Sequence, residues 1–458
     1  MSERDNYVLE LGERARRNNQ LQPGSFSRFG VKHGLRNEDG SGVLVGLTTI
    51  AGVFGYEMRQ TLIPTEGRLY YRGIDLNDII RRYDATTRFA FEEVVYLLLF
   101  GEFPRPEELS RFTGALAELR ALPRNFVRDV LQAFPTPNIM NGLARSILTL
   151  YSADPDPERL AMDNQVRQAM EVVARMPTLV AYAYHVMETT RRGKGLILLE
   201  PDPELSSAEN FLRLLRPGGT YTETEARTLD RCLVLHADHG GGNNSTFTAR
   251  VVTSTMSDIY SAIAASIGSL KGPLHGGQNA RIVELMDDLK EEVPAPRSLE
   301  GIRTYLFRLL QGEAFDGHGR VYGMGHAVYT LSDPRSILLK RYAEELAREK
   351  ESLDEFDLWA TVEEETQTVL RELKRDDHLL ICANIDFYAA FVYKLLDLPR
   401  EVFTPLFAIG RAPGWCAHRL EMMSNPMKVM RPSFKVVCPG CVPEEGRCET
   451  CVYSKHTI

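Results

Sequence analysis

At 458 residues, with 43% hydrophobic and 25% charged side chains, the chain has a globular composition and enough length to bury a large core. A net charge of −8 and a pI near 5.8 exclude a nucleic-acid platform, whose footprint is a basic face, but allow a local arginine cluster that holds a small polyanion. No apolar run approaches the roughly 20 residues that cross a bilayer, and no basic start leads into an apolar core, so a cytoplasmic protein without membrane or nucleic-acid partners is expected.

Residues 1–42 are polar and rich in Arg, Asn and Gly, and read as a loosely held arm with one short helix at its start. Val43 to Gly55 is β-branched and glycine-punctuated, and Gly67-Arg-Leu-Tyr-Tyr-Arg-Gly73 alternates as its hairpin partner would. From Asp75 the period is helical. Phe89 to Phe100 ends at Gly101, a C-cap glycine, and Met140, Leu143, Ile147 and Leu150 share one face. Val166, Met170 and Val173 lead towards Pro177, and Leu179 to Met187 reads as another buried helix. Ala208–Leu215 is closed by Pro217-Gly-Gly, and Thr222 with Glu225 forms a capping box ahead of the stripe Leu229, Cys232, Leu233, His236. A charge-free run, Ile259 to Leu270, follows. Further helices are predicted over 282–291, 302–310, 336–350, 358–373, 388–396 and 402–423, with no internal repeat. The fold class is mostly α with a small N-terminal β element.

Four stretches could carry chemistry. In Lys271-Gly-Pro-Leu-His-Gly-Gly-Gln-Asn279, breakers on both sides let the backbone approach a ligand and hold the His275 imidazole at a helix start. The same residues also suit a plain helix–helix turn. His236-Ala-Asp-His239 sets two histidines on one helix face, which suits a substrate hydrogen bond, a satisfied core histidine at 236, or half a metal site. Gly317-His-Gly-Arg-Val-Tyr-Gly-Met-Gly-His326 is a second glycine-rich turn presenting a histidine, followed by Asp333-Pro-Arg335. No strand precedes it, as a dinucleotide loop would need. The run His378 to Asp386 ends in a carboxylate at a helix start, a place for an N-cap and equally for an ionised general base.

Cys232, Cys382 and Cys416 sit among apolar neighbours and read as inert core residues. Cys438, Cys441, Cys448 and Cys451 form two Cys-x-x-Cys pairs in a tail, 435–458, that is short between the pairs. One structural Zn²⁺ on four thiolates, reversible disulfides and free thiols are its three readings.

Taken together, Leu270-Lys-Gly-Pro-Leu-His-Gly-Gly, Gly323-Met-Gly-His-Ala-Val-Tyr with Asp333-Pro-Arg, and Asn384-Ile-Asp-Phe-Tyr resemble the three signature segments of citrate synthase. Leu69-Tyr-Tyr-Arg-Gly, Phe91-Glu-Glu-Val-Val-Tyr-Leu-Leu-Leu-Phe-Gly-Glu and His236-Ala-Asp-His match further family segments, so the likeness runs from Val43 to Phe434. It implies a two-domain, multi-helical fold: a large domain of 43–278 and 383–434, and a small domain of 279–382 that closes over the site. It implies condensation of acetyl-CoA with oxaloacetate, hydrolysis of citryl-CoA to citrate and CoA, entry to the tricarboxylic acid cycle, and no cofactor.

By that resemblance Asp386 is the base, His275 donates to the thioester oxygen as the enolate forms, and His326 protonates or hydrogen-bonds the ketone. His239, Arg335, Arg411 and Arg431 bind oxaloacetate, with Arg431 crossing between the subunits of a homodimer. A neutral His275 is expected, its pKa depressed by a helix N-terminus. The chain departs from the family at Thr330-Leu-Ser, where many members place a cation for a CoA phosphate; Arg320 and Lys340 are the replacements in view. Three other readings stand beside this one. They are 2-methylcitrate synthase acting on propionyl-CoA, a catalytically silent binding or redox-sensing relative, and a citryl-CoA lyase, which lacks the nucleotide-handling region an ATP-dependent cleaver needs.

Overall fold

The computed structural model describes residues 2–21, 24–37, 39–84, 86 and 88–434. Cys438, Cys441, Cys448 and Cys451 lie outside the described residues. The chain divides into two compact units, Met1–Gly46 with Met430–Ile458, and Leu47–Val429.

In the first unit the expected short helix runs for 16 residues as α1 (Glu3–Asn18), because Ser2 and Asp5 close a full capping box. A single turn, α2 (Ser25–Arg28), follows.

The second unit opens with an antiparallel sheet of β1 (Ala51–Met58), β2 (Leu62–Tyr71) and β3 (Ile74–Asp75), in that order. The first strand starts at Ala51, later than its β-branched run. Ala51 pairs with Tyr71, and the next two residues of the partner, Arg72 and Gly73, take positive φ and turn the chain into β3. Among the described residues, 43–49 form no strand.

Fifteen α-helices follow among the described residues of this unit: α3 (Leu76–Asp84), α4 (Phe91–Phe100), α5 (Pro106–Leu119), α6 (Ile139–Leu150), α7 (Met162–Arg192), α8 (Ser207–Leu215), α9 (Glu223–His236), α10 (Asn244–Thr253), α11 (Ile259–Leu270), α12 (Asn279–Glu292), α13 (Leu299–Gln311), α14 (Pro334–Glu349), α15 (Leu353–Lys374), α16 (Ile385–Leu395) and α17 (Phe403–Met423). The fold is mostly helical, as its composition and periods imply.

Pro177 does not break its helix. α7 continues for 31 residues through it, with Met176, Pro177, Thr178 and Leu179 all buried. An interior proline costs about 3 kcal/mol, and burial of this helix on most of its circumference outweighs that. α17 is the centre of the packing, touching α4, α7, α9, α10 and α11. It too contains a proline, Pro413. There the next amide, Gly414 N–H, leaves the helix ladder and donates to Ala237 O at 3.1 Å. The helix is thereby tied to the turn that carries His236 and His239.

Candidate active site

His275 lies in the turn between α11 and α12, not on the helix itself. Its amide donates to Gly272 O at 2.9 Å and that of Gly276 to Leu270 O at 3.0 Å. A Cβ on Gly276 would stand 2.8 Å from Leu270 O, so only glycine lets the turn fold back onto α11. The His275 Nε2 is 3.2 Å from Ser245 Oγ, which accepts from Trp415 Nε1 at 3.2 Å and donates to Asn243 Oδ1 at 2.9 Å or to the imidazole. Burial, with Arg411 adding to it, lowers the His275 pKa to about 4. The imidazole is neutral as expected, but desolvation rather than a helix N-terminus makes it so.

His326 and Asp386 come from turns 60 residues apart in the sequence and are joined by backbone pairing. Met324 and Ala383 form an isolated bridge, with Gly325 N–H to Cys382 O at 2.8 Å and Asn384 N–H to Gly323 O at 2.9 Å. Gly323 has φ +81°, and a Cβ there would press on Ile282 and Phe387 at 2.9–3.0 Å. Val328 N–H and Tyr329 N–H donate to His326 Nδ1 at 3.0 and 3.1 Å, which leaves the ring proton of the neutral imidazole on Nε2. The ring stacks on Tyr329 with centroids 4.7 Å apart and meets the edge of His239 at 4.9 Å.

The cap of α16 is Asn384, whose side chain accepts from Asp386 N–H at 3.0 Å. The capping reading of Asp386 is thereby overturned. Relieved of that task, the carboxylate is buried, and its Oδ1 has no hydrogen-bond partner. Burial pushes its pKa up to about 7, against the pull of Arg335 and Arg411.

The two histidines of the 236–239 turn differ. His236 is core: Nε2 meets Tyr393 OH at 2.9 Å and the ring packs on Phe407. His239 is buried beside His326 with Nε2 unpartnered, and burial followed by Arg335 holds it neutral.

The arginines also differ. Arg335 is clamped by Asp333 through two bonds of 3.0 and 2.7 Å, so its charge is already matched. Arg411 is 0% exposed; its Nε donates to His236 O, while Nη1 and Nη2 have no partner. Burial lowers its pKa to about 10, so it remains a cation at neutral pH. Arg431 belongs to the first unit, where it is exposed. Of the two proposed phosphate contacts, Lys340 is paired with Glu363 at 2.7 Å, while Arg320 is exposed. Cys232 and Cys416 are buried, whereas Cys382 is half-buried with Sγ near Tyr329 O. No group of three metal ligands occurs among the described residues.

Arg411 reaches the 236–239 turn because α17 approaches it through glycines. A Cβ on Gly410 would lie 2.8 Å from His236 Cβ, and one on Gly414 only 2.4 Å from Ala237 O. Gly414→Ala is therefore expected to lower stability by about 2–3 kcal/mol or more. Urea unfolding checks this, and an unchanged midpoint would show that α17 can retreat.

Ser245, Trp415 and Tyr329 complete the site and were not singled out by sequence. Ser245 directly follows the run of glycines and asparagines at 240–244, a usable local signal; Trp415 carries none. A poised carboxylate, a neutral imidazole against a serine, a second imidazole with its proton directed by backbone, and a buried cation whose terminal nitrogens have no hydrogen-bond partner stand together. That set can remove a weakly acidic proton, stabilise the resulting oxyanion and hold a small carboxylate.

Residues 41–433 match the family model for the citrate synthase C-terminal domain. The chain is 35% identical over 396 residues to the citrate synthase of Synechocystis sp., covering 84% of this chain and 89% of that one. It is 33% identical to the 2-methylcitrate synthase of Shewanella oneidensis, over 85% and 95% of the two chains. The solved citrate synthase of Pyrobaculum aerophilum superposes with a TM-score of 0.70 at 29% identity, covering 88% of this chain and 94% of that one. With the family model spanning most of its length, this chain belongs to the citrate synthase family of C–C bond-forming acyltransferases.

Proposed function

We propose that the enzyme condenses acetyl-CoA with oxaloacetate and releases citrate and CoA, at the entry to the tricarboxylic acid cycle. The observation that carries this is Arg411: a buried guanidinium with both terminal nitrogens unpartnered, beside a carboxylate at about 7 and a neutral imidazole. Buried guanidinium nitrogens left without hydrogen-bond partners are costly, and a dicarboxylate offers the bidentate partner that the fork geometry fits. His239, Arg335 and Arg411 bind oxaloacetate, and Asp386 takes a methyl proton from acetyl-CoA. The α-proton of a thioester is too weakly acidic for a carboxylate alone, so His275 donates to the thioester oxygen as charge develops there. For Nδ1 to be that donor, Ser245 O–H donates to Nε2. His326 Nε2–H then meets the ketone oxygen while the enolate carbon attacks.

Residues 279–382 act as the small domain, closing on the remainder to exclude water before enolisation. The active form is a homodimer in which Arg431 of one subunit completes the site of the other. The enzyme works in the cytoplasm, and no cofactor takes part. Arg320 is the favoured cation for a CoA phosphate.

The presence of a 2-methylcitrate synthase at almost the same identity keeps propionyl-CoA as the second reading. One methylene is worth about 1–3 kcal/mol in a pocket, so acetyl-CoA is expected to exceed propionyl-CoA by roughly 10-fold or more in kcat/KM. Thiol release from each acyl-CoA with oxaloacetate decides it. A reversed ratio selects the methylcitrate reading, and no release from either overturns both.

A further inference from the structure

Among the side chains of the 236–239 turn, Asp238 has the densest set of polar contacts. It is fully buried, and its Oδ2 accepts from Gly240 N–H at 2.9 Å and from His418 Nε2 at 3.2 Å. On the other edge of that ring Arg250 Nη1 lies 3.0 Å from His418 Nδ1. A guanidinium only donates, so Nδ1 accepts and the proton on Nε2 goes to the carboxylate. Arg250 is itself matched by Glu421 at 3.1 Å. Both contacts of Oδ2 are thus N–H donors, which favour the anion.

A charge inventory of the pocket isolates one pair. Arg335 is matched by Asp333, and Arg250 by Glu421. Asp386 sits close to half-protonated at neutral pH. Arg411 remains as a cation and Asp238 as an anion. Asp238 Oδ1 lies against α17 one turn beyond Arg411, where a Cβ on Gly414 would come within 2.4 Å of it. The two side chains support each other electrostatically. Burial opposes both charges; Asp238 is the largest contribution in favour of the Arg411 cation, and the hydrogen bonds from His418 and Gly240 together with the Arg411 charge hold Asp238 below the usual carboxylate range.

We propose that Asp238, held in place by His418, is the counter-charge of Arg411 in the empty pocket and a positioning residue that sets how strongly the pocket draws a dicarboxylate. This rests on the reading of the pocket as an oxaloacetate site. Asp238 stabilises the unliganded fold and at the same time repels the incoming dianion. Its removal should therefore strengthen substrate binding and weaken the empty protein, a combination that loss of a scaffold residue does not produce.

Asp238→Asn keeps an acceptor oxygen for Gly240 and His418 and deletes the charge. Calorimetric titration with oxaloacetate is expected to give a dissociation constant about 3- to 10-fold lower than wild type. The unliganded melting temperature falls, and the KM for acetyl-CoA stays put. A dissociation constant that is unchanged or raised overturns the proposal. The charge couple is also read without ligand: Asp238→Asn lowers the melting temperature more in the wild type than in an Arg411→Met background, and equal losses overturn it. Should the single variant not fold, the double variant decides. It folds if the carboxylate matters as a counter-charge, and its failure to fold shows a scaffold role and overturns the proposal. If wild-type protein does not bind oxaloacetate at all, the substrate reading fails, and the ligand-free coupling still tests this one.

Discussion

Asp386→Asn is expected to cut kcat by about 10²–10⁴-fold and, at pH 8, to raise the melting temperature. Both follow from one fact, the burial of a carboxylate whose Oδ1 has no hydrogen-bond partner. Burial lifts its pKa from the ordinary 3.8 to about 7 in the fold. Between those values the folded state holds a proton that the unfolded state has released, so stability falls as pH rises. Above pH 7 the full penalty applies, on the order of 4 kcal/mol. The asparagine variant escapes it: its thermal advantage is greatest above pH 7 and disappears near pH 4. In the wild type the same group must be ionised to act as base, so kcat/KM for the acyl-CoA is expected to rise with pH through about 7 and then level. His275 adds nothing to that limb, since it loses its proton at about 4. Near-normal turnover in the asparagine variant would remove Asp386 as base, and an acid limb near 4 would contradict its raised pKa.

Arg411→Leu should raise the KM for oxaloacetate by about 10²–10³-fold, because two hydrogen bonds to a charged group are worth roughly 3–5 kcal/mol together. The KM for acetyl-CoA should change little. The substitution carries a second signature. Arg411 lowers the pKa of Asp386, so without it the carboxyl rises further and the acid limb moves to higher pH. Steady-state kinetics at several pH values reads both effects. A wild-type oxaloacetate KM would assign the unpartnered nitrogens to something other than substrate.

The elements were largely readable because their periods are local. α11 falls where the charge-free run puts it, and the capping box at Thr222 and Glu225 is present. The misreadings have a shared cause. Pro177 sits inside an unbroken α7, and the strand signal at 43–49 forms no strand among the described residues. In each case a local preference met a tertiary context that overrode it. Asn384 rather than Asp386 caps α16; two residues at a helix start look alike in sequence, and the bond that Asp386 N–H donates to the Asn384 side chain makes the distinction.

The sequence alone determined which groups are available and in what order: three turns bearing His275, His326 and Asp386, each built on glycine or an Asx residue, with arginines behind them. Those are properties of short stretches and survive being read in isolation. Charge state and pairing did not. That His275 is neutral, that Asp386 is poised near 7, that Arg335 is ion-paired while the terminal nitrogens of Arg411 have no hydrogen-bond partner, and that Asp238 lies against the helix carrying Arg411 all depend on desolvation and on neighbours far along the chain. Burial of a charge is a property of the assembled interior, so only the tertiary structure could decide it.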